Sequence, residues 1–128
     1  MDIDIKGIVT DVFRDYIRKM AYKKNKQEDK IQVVLYLKKP KEVSVYILEE
    51  YQVAEDVIRL KDLLGTWAIS YNIVNGFISK ALQNYAKEYD CDFELINCMI
   101  WLSEDSVNLY LYKEHTPLKE ITLSDLLK

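Results

Sequence analysis

An α+β fold is what this chain of 128 residues predicts: a four-stranded, mainly antiparallel sheet made of two hairpins, with two long helices packed on one face. Three observations lead there. Two long segments carry apolar residues at helical spacing. Two pairs of β-branched and aromatic runs are each joined by a turn. These units follow one another in the order α-β-β-α-α-β-β-tail.

The first helix is predicted over residues 3–24, where Ile5, Ile8, Val9, Val12, Phe13, Tyr16, Ile17 and Met20 recur every three or four positions. Asp2 and Asp4 lie near its start and Arg18, Lys19, Lys23 and Lys24 near its end, as the helix dipole favours. Gly7 is a weak point costing about 1 kcal/mol against alanine. The runs IQVVLYLKK and VSVYILEEY, separated by Lys39-Pro40-Lys41-Glu42, predict a hairpin. Val53, Val57, Leu60 and Leu64 then form a short helical stripe that Gly65 is placed to end. A second long helix is predicted at 70–89, with Ile73, Val74, Phe77, Ile78, Ala81, Leu82 and Tyr85 inward and Ser70 or Asn72 as its cap. The stretch CDFELINCMIWL, the turn Ser103–Ser106 and the strand VNLYLY make the second hairpin. The tail TPLKEITLSDLLK is expected to end in one helical turn capped by Ser124. Residues 1–128 read as a single domain, with helix-hairpin occurring twice but no repeat visible residue by residue.

Strand side chains alternate faces, so the register of each hairpin is constrained by its pattern. An odd-length loop, such as 40–42, puts Val43, Val45 and Ile47 on the face of Ile31, Val33, Leu35 and Leu37. A four-residue loop SEDS sets Leu102 opposite Val107, so that Ile96, Cys98, Ile100 and Leu102 share a face with Leu109 and Leu111. One face of the sheet is then aliphatic. The other mixes small polar groups with aromatic residues: Gln32, Val34, Tyr36, Ser44, Tyr46 and Leu48 from one hairpin, and Phe93, Leu95, Asn97, Met99, Trp101, Asn108, Tyr110 and Tyr112 from the other. Tyr, Trp and Met bury much area, and tyrosine keeps a polar handle, so such a surface suits a protein partner. Tyr36, Tyr46, Met99, Trp101, Tyr110 and Tyr112 are the candidate partner-binding residues. Cover from within, by the short helix or the tail, is the competing expectation.

Chemistry is sparse. Cys91 and Cys98 have six residues between them, too many for a zinc knuckle, and seven residues of extended chain would hold them about 23 Å apart on opposite faces. No disulfide joins them on that reading; Cys98 becomes a core hydrophobe and Cys91 a thiol near the start of the strand. His115, the single histidine, sits in a polar turn before Pro117 without a nucleophile motif. Three glycines, Gly7, Gly65 and Gly76, form no phosphate cradle, and the carboxylate pairs Glu49-Glu50, Glu55-Asp56 and Glu104-Asp105 read as solvated surface. Catalytic residues, metal and cofactor are therefore all expected to be none. No apolar run is long enough to span a membrane, and an acidic N-terminus with two cysteines predicts a cytoplasmic setting. Net charge is −3, from eighteen basic and twenty-one acidic residues, with the positive excess confined to KKNKQEDK and KKPK. Nucleic-acid binding is disfavoured, since neither Arg nor Lys interleaves with the tyrosines and no RNP-like sequence occurs.

The layout resembles bacterial secretion chaperones, which are helix-and-sheet dimers, and small immunity or phage-type inhibitors, in order of elements alone. The sequence thus favours a non-enzymatic cytoplasmic protein-interaction module, chaperone-, adaptor- or inhibitor-like and homodimeric, acting on a protein partner through the Tyr/Trp/Met-rich sheet face. The alternative is a small-molecule-binding domain or minor enzyme with a pocket between the sheet and the 53–64 helix. Single-stranded nucleic acid ranks below both.

Overall fold

The computed structural model describes residues 4–50, 52–65, 70–104 and 106–128, with 52–57 described at the level of the backbone. Asp2, the expected helix start at residue 3 and Asp105 lie outside these residues.

Helix α1 runs Ile5–Lys23. Asp4 caps it by accepting the Gly7 N–H at 3.0 Å, and its carboxylate lies where a Cβ on Gly7 would project. The glycine's cost of about 1 kcal/mol is outweighed by burying Val9, Val12, Phe13 and Ile17, each worth about 1.5–3 kcal/mol. Strands β1 (Ile31–Lys39) and β2 (Glu42–Glu49) form the first hairpin. Leu37 pairs with Val43, Leu35 with Val45 and Val33 with Ile47, so the expected aliphatic residues do share a face. A loop at 40–42 would have set Leu37 opposite Val45 instead. The tighter pairing of Lys39 with Glu42 is absorbed by an irregularity between Leu37 and Lys39.

The segment expected as a short helix is mostly a strand. β3 (Gln52–Arg59) pairs antiparallel with β2, and only Leu60–Leu64 is helical, as α2. The spacing of Val53, Val57, Leu60 and Leu64 satisfies a helix, but Val53, Val57 and Ile58 are β-branched and β2 offers them an open edge. Gly65 does end α2, at φ 59°, with its N–H donating to Lys61 O at 3.1 Å. Helix α3 (Tyr71–Glu88) starts at Ser70, whose side chain makes no capping bond. Val74, Ile78, Ala81 and Leu82 are buried and Phe77 and Tyr85 half-buried, whereas Ile73, expected inward, is 47% exposed.

The second half opens with a 3₁₀ turn, Phe93–Leu95, before β4 (Ile96–Ser103). Phe93 and Leu95 are therefore not strand residues of the mixed face, and Phe93 packs against the core instead. The extended span imagined between the two thiols does not exist either, although both cysteines are free and Cys98 is fully buried. β5 (Ser106–Lys113) pairs Val107 with Leu102 as expected, and the ladder extends one pair further, to Ser103 and Ser106. The tail adds another strand, β6 (Thr116–Ile121), and then a helical turn, α4 (Leu123–Leu126). Its cap is Thr122, not Ser124. Thr122 Oγ1 accepts the Asp125 N–H at 3.1 Å, and the Asp125 carboxylate accepts the Thr122 N–H at 3.0 Å.

The sheet is thus antiparallel and six-stranded, in the order β3-β2-β1-β4-β5-β6, rather than four-stranded. Buried residues of all four helices join one cluster with the aliphatic face. An internal repeat also becomes visible. A helix, a 3₁₀ turn, three meandering strands and a short helix occur twice, and β1 meets β4 at the centre. Val9 corresponds to Val74, Ala21 to Ala86, Ile31 to Ile96 and Tyr46 to Tyr110. The loops match as well: Asn25 and Asp90 both take positive φ, and the Glu50 and Glu114 N–H groups each donate at 2.8 Å, to Lys30 O and Leu95 O. The approximate two-fold axis passes through the cross-strand pair Val34–Met99.

Asn75 on α3 fastens the first hairpin to the helix layer. Its Oδ1 accepts the Val43 N–H at 2.9 Å and its Nδ2 donates to Lys41 O at 2.8 Å, while Gln83 donates to Pro40 O. Asn75→Ala is expected to lower stability by about 1–3 kcal/mol, read as a reduced midpoint in urea unfolding with an unchanged slope.

Candidate functional site

The face opposite the helices is built around the approximate axis. Cross-strand rows run Leu48–Gln32–Trp101–Asn108, then Tyr46–Val34–Met99–Tyr110, then Ser44–Tyr36–Asn97–Tyr112. All six candidate residues, Tyr36, Tyr46, Met99, Trp101, Tyr110 and Tyr112, fall on this one face. The five aromatic ones form two related groups. Tyr36 and Tyr46 meet edge to face with centroids 5.5 Å apart. Under the two-fold these correspond to Trp101 and Tyr110, whose centroids are 6.3 Å apart, and Tyr112 extends that second group at 5.5 Å from Tyr110.

Between the groups, Val34 and Met99 are only 2% and 6% exposed, while the surrounding rings remain half-buried. Burial, and then the neighbouring Tyr36, raise the Tyr46 phenol above its ordinary value, so it stays protonated at neutral pH. The two segments expected to cover this face join the sheet as its edge strands, and their helical ends turn to the other side. Leu60, Leu63 and Leu64 of α2, with Leu126 and Leu127 at the tail, enter the aliphatic core on the other side. The pocket imagined between the sheet and a 53–64 helix has no such helical wall, because Gln52–Arg59 is a strand.

Two hollows indent the face, one on each side of Val34–Met99. The larger, about 520 Å³, is lined by Gln32, Met99, Trp101, Tyr110, Tyr112 and Pro117, with Asp29 and Lys30 at its rim. The smaller, about 210 Å³, is lined by Val34, Tyr46, Leu48 and Asn97, shares Met99 and Tyr112 with the larger, and has Glu114 and His115 beside them. His115 is exposed there and borders the face beside Glu114.

Gln32 is placed on this face by its register but is not counted among the candidate residues. It is 3% exposed; its Nε2 donates to Asp29 O at 3.0 Å, and its Oε1 is buried with no partner. The signal was present as the single polar residue within the otherwise apolar run I-Q-V-V-L, a position where polarity carries a cost unless it is used. Its counterpart under the two-fold, Asn97, likewise donates to a backbone carbonyl, Glu114 O, at 3.3 Å.

Burial pushes the Cys98 thiol up to about 12, which makes it a poor nucleophile. Among the described residues no three His, Cys, Asp or Glu side chains gather to hold a metal, and no helix is long and apolar enough to cross a membrane. No family model, no curated protein and no solved structure matches this chain.

Proposed function

We propose that the protein is a non-enzymatic, cytoplasmic protein-interaction module, homodimeric in its working form, whose aromatic sheet face is the surface offered to a protein partner. The observation that carries this reading is the division of labour between the faces. All four helices pack on one side, leaving Tyr36, Tyr46, Trp101, Tyr110 and Tyr112 half-buried on the other. Aromatic residues around a buried apolar centre are what the energetic core of an interface requires. The larger hollow supports a second reading, a small-ligand site, since its volume of about 520 Å³ suits one.

Selection of random peptides displayed on phage tests the leading reading. Peptides that bind the wild-type chain are expected to bind Tyr46→Ser/Tyr110→Ser at least about tenfold less well, with the circular dichroism spectrum and a cooperative melt retained. Undiminished binding by the double variant would remove the face from consideration. Light scattering across a concentration series tests the dimer, which requires a mass approaching twice 15.2 kDa.

A further inference from the structure

We infer that the larger hollow is a receptor for an arginine side chain presented by the partner, an inference that rests on the reading of this face as a protein-binding surface. Gln32 sets the chemistry. Because its Nε2 is committed to Asp29 O, the orientation of the amide is fixed, and the buried oxygen left over can only accept. The ligand must bring a donor. Carboxylates and phosphates bring acceptors and do not answer this need.

The walls narrow the choice further. Trp101, Tyr110 and Tyr112 form a continuous aromatic group, with successive centroids 6.3 and 5.5 Å apart, and ring faces attract cations. At the rim Asp29 and Lys30 offset one another in charge, and Glu120 stands opposite Tyr110 in the sheet. A guanidinium is planar, weakly hydrated and carries five N–H donors, so it can stack on a ring while donating to Gln32 Oε1. A lysine ammonium is a strongly hydrated point charge and loses the stacking. The approximate two-fold supplies an internal contrast. The smaller hollow is also lined by tyrosines, Tyr46 and Tyr112, and its Asn97 amide likewise donates to a backbone carbonyl, Glu114 O. Among the described residues, however, only Gln32 carries a buried side-chain oxygen without a partner. That unpartnered acceptor is what distinguishes the larger hollow from the smaller.

The test is a nuclear magnetic resonance titration of the full-length chain with N-acetyl-arginine methylamide, its neutral citrulline analogue and the lysine equivalent. The arginine probe is expected to shift the Trp101 indole and Gln32 side-chain amide signals saturably. Citrulline should bind several-fold more weakly, and lysine should leave both signals in place. Gln32→Met, which keeps the volume and removes the acceptor, should weaken arginine binding about tenfold or more. Silent Trp101 and Gln32 signals, equal binding of citrulline or lysine, or undiminished binding by Gln32→Met would each overturn the assignment. Should Gln32→Met not fold, the three probes on the wild-type chain decide alone. Trp101 shifts that depend on protein concentration without any probe would assign the hollow to a second copy and overturn the arginine partner. Loss of peptide binding in Tyr46→Ser/Tyr110→Ser combined with silence toward arginine would overturn this inference while leaving the face reading intact.

Discussion

Ile100→Ala is expected to cost about 2–5 kcal/mol of folding stability, whereas Trp101→Ser, one residue further along, should cost no more than about 1–2 kcal/mol. Ile100 is fully buried on the aliphatic face, between Val33 and Leu109, so truncation leaves a cavity that the surrounding strands and helices cannot close. Trp101 is half-buried on the opposite face, and water can fill much of the space it leaves. Since a domain of this size holds only about 5–15 kcal/mol in total, the first substitution brings the chain near its unfolding threshold and the second does not. Urea unfolding of both variants is the measurement. Equal losses would mean that the aromatic face is packed as tightly as the core, which would contradict its role as an open surface.

Alkaline pH should destabilise the protein through Cys98. Its thiol is held at about 12 by burial, against an ordinary value of 9.0. Between those values the unfolded chain releases the proton and the native chain retains it, so the native state binds more protons and stability falls as pH rises. The contribution is fully present below about pH 9 and is lost at about 1.4 kcal/mol per pH unit as the pH climbs toward the folded value. Cys98→Val removes the titrating group while keeping an apolar side chain of similar size. Urea midpoints measured from pH 8 to 11 should decline less steeply in that variant than in the wild type. Parallel declines would show that other groups govern the alkaline limit.

What was legible in the sequence was periodicity. The long helices, the four strands of the two hairpins and the faces they present all follow from spacing, and Leu102–Val107 even fixes a register. Strands β3 and β6 were missed for a common reason. Val53 to Leu64 carries helical spacing and strand-forming residues together, and Thr116–Ile121 holds a proline, so in both segments the outcome depends on a neighbouring strand's open edge, which is a tertiary fact. The candidate site was legible as a face but not as a pair of hollows. Tyr, Trp and Met announce themselves by composition, whereas the importance of Gln32 lies in a bond to Asp29 O that uses half of its amide and strands the other half.

The pairing of β1 with β4 has a consequence for how the sheet can grow. Each half of the chain supplies the other with the neighbour that a second molecule would otherwise provide, so the central strands have no ladder positions left to share. Backbone groups open to strand addition are confined to the margins, Gln52–Arg59 on one side and Thr116–Ile121 on the other. Pro117 lacks an N–H and interrupts the second margin, while the first contains no proline. The repeat is symmetric in topology, but its two edge strands differ, since one carries a proline and the other does not.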